Sequence, residues 1–128
     1  MNKLIIDAAS EKIFLMIISN ASIYNITHEN TKINYEKLTI IINDFLSSKN
    51  NKIADIDAIY INKGPGSFAG IRNSMSVVKA FNVAKNIDYY CYNLNDFKDE
   101  KDLSYRNIPN LCKKYKIKKN LINPIHIS

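Results

Sequence analysis

The sequence predicts an α/β protein: a mixed sheet in which an antiparallel three-strand meander leads into a parallel β-α-β unit, with helices flanking it in a single lobe. Three observations predict it. The first 28 residues hold three isoleucine-rich stretches separated by very short breaks. Two later stretches carry apolar residues at helical spacing. All 3 glycines of the 128-residue chain fall between positions 64 and 70, where a short apolar strand meets the second of those helices.

Each element follows from its pattern. Residues 3–9, 12–19 and 21–28 are apolar and read as strands. The breaks between them, Ser10-Glu11 and Ser19-Asn20, leave no room for a parallel crossover, which needs about a dozen residues, so the three form a meander. Asn34 is a good N-cap for a helix over 34–48. There Leu38, Ile41, Ile42, Phe45 and Leu46 share one wide face. A polar connection over 49–55 precedes a short strand, AIYIN, at 58–62. After the glycine loop, Ile71, Met75, Val78 and Phe81 share a face of a second helix that ends near Asn86. Residues 89–94 form a further strand, parallel to 58–62 because a helix connects the two. The stretch KDEKDLS at 98–104 is a charged break. Residues 111–115 read as a short helix, and PIHI at 124–127 as a strand-like tail. The domain expectation is a lobe over 1–97 and a short appendage over 98–128.

Totals bound the function. The chain is the size of one domain, and 46% hydrophobic residues suffice for a core. The formal net charge of +6 is read as a solvated lysine surface, with nucleic acid as the sharper alternative. Cys91 and Cys112 have neither metal spacing nor a CxxC pair, and a small secreted domain usually carries more cysteines. The opening MNKLIIDAASEK meets a charge at Asp7 and so lacks a signal-peptide core. No apolar run approaches the ~18 residues of a membrane span. The expectation is a cytoplasmic protein with no membrane association.

The glycine loop, NKGPGSFAGIRNS, admits several chemistries. A phosphate-binding P-loop requires Gly, four residues, then Gly-Lys-Ser/Thr, and the pattern fails at Ala69, Gly70 and Ile71. GPGSFA does fit the dinucleotide fingerprint G-x-G-x-x-G/A between a strand and a helix. Against that reading, a meander and a helix precede the loop, Phe68 is bulky where a pyrophosphate needs bare backbone, and Tyr92-Asn93-Leu94 offers no acid for a ribose. On a third reading the loop is architectural. Gly64-Pro65-Gly66 turns tightly off the strand, Ser67 caps the helix, Gly70 admits a close neighbour, and Phe68 is placed on a surface.

The order β-β-β-α-β-α-β is that of ribonuclease-H-like and actin-like folds. The loop itself resembles the GPGSFTGxR signature of the TsaB (YeaZ) family, subunits of the bacterial complex that makes threonylcarbamoyladenosine at adenosine 37 of tRNA. The signature positions here are Gly64, Pro65, Gly66, Ser67, Phe68, Gly70 and Arg72. KLIIDAASE is similar to the family's opening ILAIDTSTE, DIDAIYINKGPGSF to DLDAIAVGRGPGSF, SMSVVKAFNVAKNI to GLSVAKGLA, and YNLNDF to VSSLDAL. NIPNLCKKYKIKKNLINPIHIS resembles the family's last helix and closing strand. About ten residues stand where a typical member carries most of a second lobe, so the resemblance implies a shortened member.

What the resemblance implies is a non-catalytic scaffold with an actin-like fold. The transferase chemistry belongs in that family to a homologous subunit of TsaD type, which holds a metal with two histidines. Here His28 and His126 are far apart and form no HxxxH pair. Asp7 stands where actin-like folds use an acid on the first strand to hold a metal-phosphate, but Ala8-Ala9 replace the family's Thr-Ser, and Ala69 replaces the signature threonine. Asp7 is therefore at most a vestigial phosphate site. The family's first two helices pack on the same helices of the catalytic subunit, which nominates Leu38, Ile40, Ile41 and Phe45 on one helix and Ile71, Met75 and Val78 on the other, most of them expected in the core and a minority facing the partner. Implied partners are a TsaD-type subunit, a TsaE-type ATPase and, through the complex, tRNA. ATP or ADP and the metal are expected on those partners, with no cofactor and no metal on this chain alone. Two alternatives stay open: a nucleotide or dinucleotide module using GPGSFA, and a paralogue that only homodimerises. The basic tail KKYKIKK at 113–119, with Tyr115 interleaved, reads first as a solvated helix end and second as a phosphate contact.

Overall fold

In a computed structural model that describes residues 1–121, five strands form one sheet. They are β1 (Lys3–Asp7), β2 (Lys12–Ile18), β3 (Ile23–Glu29), β4 (Ala58–Asn62) and β5 (Asp88–Tyr92). Their order across the sheet is β3-β2-β1-β4-β5. The meander is antiparallel, with Ile5 opposite Met16 and Leu15 opposite Ile26. β4 lies parallel to both β1 and β5, with Ile5 opposite Tyr60 and Ile61 opposite Cys91. This is the mixed sheet that the strand order predicts.

Helices α1 (Lys32–Glu36), α2 (Leu38–Ser48) and α3 (Phe68–Lys85) lie on one side of the sheet, and α4 (Ile108–Lys114) on the other. Alternation along each strand sorts the side chains. Leu4, Ile6, Ile13, Leu15, Ile17, Ile59 and Ile61 pack under α2 and α3 against Leu38, Ile42, Phe45, Ile71, Met75, Val78 and Phe81. Ile5, Met16, Ala58, Tyr60 and Tyr92 pack against Phe97, Ile108, Leu111 and Cys112. Because both faces are covered, the central strands read as unbroken apolar runs (LII, AIYI) rather than alternating ones. β3 is an edge strand, and six of its seven residues are exposed.

Boundaries differ from the sequence reading where a side chain captures backbone. The first helical segment begins at Lys32, not at 34, because Thr31 is the N-cap: its hydroxyl accepts the Asn34 N–H at 3.4 Å. Asn34 lies inside the helix and donates from its amide to the Glu29 carbonyl. A non-helical Lys37 (φ −105°, ψ 19°) then separates α1 from α2. α3 begins three residues earlier than the apolar period requires, at Phe68, with Ser67 capping Gly70 N–H at 3.2 Å. It ends at a left-handed Asn86. β5 stops at Tyr92 rather than 94, since Asn93 accepts the Asn95 N–H at 2.7 Å and its own N–H donates to Asp96. α4 starts at Ile108, three residues ahead of expectation, with Pro109 in its first turn, where a missing N–H costs nothing. The expected strand at 124–127 lies outside the described residues.

Candidate functional site

The glycine loop rests on the turn between β1 and β2. Gly66 is so close to Ala9 that a Cβ there would lie 2.2 Å from the Ala9 carbonyl oxygen, and one on Gly70 would lie 2.2 Å from the Ala8 carbonyl oxygen. Gly64 adopts φ 95°, a conformation that favours glycine. Three of the loop's N–H groups are engaged within the chain. Gly64 N–H donates to Asn62 Oδ1 at 2.9 Å, Ser67 N–H to the Ala9 carbonyl at 2.8 Å, and Gly70 N–H to Ser67 Oγ. Anion cradles at helix N-termini depend on such groups being open to the ligand. Pro65 and Gly66 are exposed, and Phe68 opens α3 partly exposed. Arg72, one turn on, lines an open groove of ≈ 480 Å³ between α1 and α3 with Tyr35, Glu36 and Phe68.

Asp7, at the end of β1, is 4% exposed and its carboxylate is enclosed by donors of its own chain. Oδ1 accepts the Ala9 N–H at 3.0 Å. Oδ2 accepts the Asn62 amide at 3.1 Å and the Tyr105 hydroxyl at 2.8 Å. Tyr105 is held over the site by its ring, which stacks on Phe14 with centroids 3.8 Å apart and planes 14° apart. Burial first, then the Asp7 charge and the hydrogen bond to it, push the Tyr105 hydroxyl well above the ordinary tyrosine range, so it stays a donor. A buried carboxylate needs such compensation. The arrangement is a polar plug joining β1, β4 and the segment after residue 97.

Spacing alone could not reveal Asn62 and Tyr105 as the partners of Asp7, because they lie far along the chain from it. The strand pattern did offer one cue: Asn62 is a polar residue closing an otherwise apolar strand that runs beside β1.

Most of the nominated helix residues lie in the core and a minority face outward. Leu38, Phe45, Ile71, Met75 and Val78 are buried beneath α2 and α3, and Ile41 is half-buried against the same core. They face the sheet because the periodicity that made them conspicuous is that of the inner face. Ile40, on the opposite side of α2, is 58% exposed. Two outward residues were missed, Ile33 on α1 at 69% and Val83 on α3 at 78%. Val83 was legible as an apolar residue off the Ile71–Phe81 face, whereas Ile33 lay ahead of the expected helix start. Ala80 and Ala84 are also exposed, near Val83 on α3.

His28 is half-buried on edge strand β3, and His126 lies outside the described residues. Among the described residues no three His, Cys, Asp or Glu side chains group as metal ligands. Cys91 and Cys112 are buried free thiols. Tyr115 is not a free stacking surface: its hydroxyl donates to the Lys98 carbonyl at 2.8 Å, and its ring packs on Phe97. No helix among the described residues is long and apolar enough to cross a membrane.

Comparison with known proteins agrees with this architecture. YeaZ from Pseudomonas aeruginosa superposes with a TM-score of 0.66 at 20% identity, over 72% of this chain and 43% of that one. A second structure, described as an uncharacterized protein from Pseudomonas aeruginosa with similarity to peptidase YEAZ, gives the same values. RuvC from T. thermophilus, in complex with a Holliday junction substrate, matches at 0.52 with 9% identity, over 77% of this chain and 68% of that one. These likenesses establish the ribonuclease-H-like and actin-like fold. The chain matches less than half the length of the YeaZ structures. No curated protein matches it. The model of the family described as TsaD, tRNA N6-adenosine threonylcarbamoyltransferase, matches residues 28–95, from the end of β3 to just beyond β5. That is more than half of the chain, and it places the protein in the TsaD family, with a fold like that of YeaZ.

Proposed function

We propose that this chain is a non-catalytic scaffold subunit that binds a TsaD-type catalytic subunit through the outer face of α1, α2 and α3, in a complex that transfers threonylcarbamoyl to tRNA adenosine. The observation that carries the reading is the set of outward apolar side chains Ile33, Ile40 and Val83 on the very helices inside the family match. Large apolar residues exposed on one helix layer are what a partner helix covers. The plugged state of Asp7 supports the non-catalytic part: three internal donors occupy the carboxylate that an actin-like nucleotide site would turn toward a metal-phosphate. The engaged N–H groups of Gly64, Ser67 and Gly70 speak against the dinucleotide alternative in the same way. On this reading residues 98–121 are what remains of the family's second lobe, folded back as the plug. ATP or ADP, the metal and a TsaE-type ATPase then belong to the partner side of the complex.

Co-expression with the catalytic subunit of the same organism, followed by size-exclusion chromatography, tests the proposal. The wild type is expected to co-elute. Ile40→Asp and Val83→Asp are each expected to weaken the complex by at least about tenfold, as central interface residues do, while the circular dichroism of the free chain stays unchanged. Met75→Asp, in the core, is expected to unfold the chain and serves as the contrast. A wild type that elutes alone overturns the proposal. A dimer of this chain indifferent to the catalytic subunit favours the homodimer alternative instead.

A further inference from the structure

The opposite side of the sheet carries a second surface that the partner reading does not use. Between the sheet and α4 lies an open groove of ≈ 510 Å³, lined among others by Lys3, Tyr60, Tyr90, Lys113 and Lys116. No carboxylate is among its lining residues. It adjoins a smaller concavity of ≈ 180 Å³ that shares Lys116 and adds Lys63 and Lys118. The one carboxylate in the smaller concavity, Asp96, sits 3.9 Å from Lys63.

The basic tail is sorted by this geometry. Lys114 pairs with Glu100 and Lys119 with Asp88, both away from the larger groove. Lys113, Lys116 and Lys118 have no ion pair among the described residues, and neither does Lys3. Four uncompensated ammonium groups therefore gather along one trough. Its floor is aromatic: the rings of Tyr60 and Tyr90 stack with centroids 5.0 Å apart and planes 12° apart, and Tyr90 is the half-exposed member.

Ammonium groups along a trough with a partly exposed aromatic ring in its floor are complementary to a chain that carries phosphates and unstacked bases together. A duplex would offer the lysines its phosphates but no base face to the tyrosine. An acidic peptide would satisfy the lysines and leave the ring unused. We propose that this groove binds single-stranded nucleic acid, with Lys3, Lys113, Lys116 and Lys118 on the phosphates and Tyr90 under a base. It lies across the sheet from α1–α3, so it does not depend on the partner-binding reading and is tested without the partner.

The test is fluorescence anisotropy of the full chain with a labelled RNA of roughly 12 nucleotides and with DNA of the same sequence, a length within the usual single-strand site range. Between about 50 and 200 mM salt the RNA affinity is expected to fall with a log–log slope of about −3, as for four phosphate contacts on a single strand at about −0.7 each. Lys113→Glu with Lys116→Glu is expected to weaken binding at least about tenfold and flatten that slope. Tyr90→Leu, checked for folding by circular dichroism, is expected to weaken it at least about fivefold and leave the slope unchanged. Lys79→Glu, exposed on α3, changes net charge elsewhere and is expected to stay within about twofold. Tighter binding of RNA or of DNA identifies which polymer the groove prefers, and either supports the proposal. No binding, equal loss with Lys79→Glu, or equal competition by a duplex of the same length overturns it. So does loss of an acidic protein partner, without loss of nucleic acid, on reversing the groove lysines.

Discussion

The Tyr105 hydroxyl donates to Asp7 Oδ2 at 2.8 Å, joining residues 98 positions apart in the chain. The ring of Tyr105 lies flat on Phe14, so the segment after residue 97 is fastened to β1 by a charge-assisted hydrogen bond and to β2 by a stack. Tyr105→Phe keeps the stack and removes the donor, leaving a buried carboxylate with one fewer partner. The expected loss is about 1.5–3 kcal/mol, the range for a hydrogen bond to a charged group. Urea unfolding of the two proteins checks it, and an unchanged midpoint would mean the hydroxyl contributes nothing.

Tyr92 presents the opposite case. Its hydroxyl is buried with no hydrogen-bond partner among the described residues, while burial first, then the nearby Asp7 charge, holds it protonated. An unsatisfied buried hydroxyl is a cost, so Tyr92→Phe is expected to leave stability unchanged or raise it by about 1 kcal/mol. The ring contact with Phe97, centroids 6.1 Å apart, is retained. A drop in the urea midpoint comparable to that of Tyr105→Phe would show that the hydroxyl is satisfied after all.

The loop glycines are set by their neighbours' backbone rather than by side chains. Gly66→Ala and Gly70→Ala would each put a Cβ 2.2 Å from a carbonyl oxygen, of Ala9 and Ala8 respectively. Backbone cannot step aside as a rotamer can, so each change is expected to cost at least about 1–3 kcal/mol, the range for overpacking. Ala9→Gly is expected not to rescue Gly66→Ala, because the carbonyl stays in place. Thermal melts of the single and double variants decide the point, and a rescue would locate the clash in the Ala9 side chain instead.

The sheet was legible because its strands are short, apolar and closely spaced, and the loop because glycine is concentrated there. The inner helix faces were legible too, through the period of Ile71, Met75, Val78 and Phe81. The same signal picked out most of the nominated helix residues, which is why they lie in the core. A period reports which face is buried, and in an isolated chain that face belongs to the core. The outer face shows only as exceptions to the period, such as Ile40 and Val83. Of the Asp7 plug only the polar Asn62 closing an apolar strand was legible, since no local pattern ties Asp7 to Asn62 and Tyr105. Nor could the spacing of KKYKIKK say which lysines are paired. Glu100 and Asp88 claim Lys114 and Lys119 only once the chain has folded.

Buried groups that must stay neutral set the alkaline limit of the fold. Burial pushes the Cys91 thiol up from 9.0 to about 11, against the pull of Lys63, and the Cys112 thiol from 9.0 to about 12, helped by Asp96 and Cys91. Burial, with Tyr90 and Cys112, moves Tyr60 from 10.0 to about 12. Between the ordinary and the raised values the unfolded chain has lost protons that the folded chain still holds. Stability therefore falls as pH rises through that window. The contribution of these groups is complete below about pH 9, begins to decline there as unfolded thiols ionise, and declines more steeply above about pH 10 when unfolded tyrosines join them. Urea midpoints from about pH 8 to about pH 11 measure the slope. In Cys91→Ala with Cys112→Ala the baseline stability drops through lost packing, and the onset of the decline moves up toward about pH 10. An onset that the double variant leaves unmoved would mean that the thiols do not hold their protons in the folded state as the buried sites require.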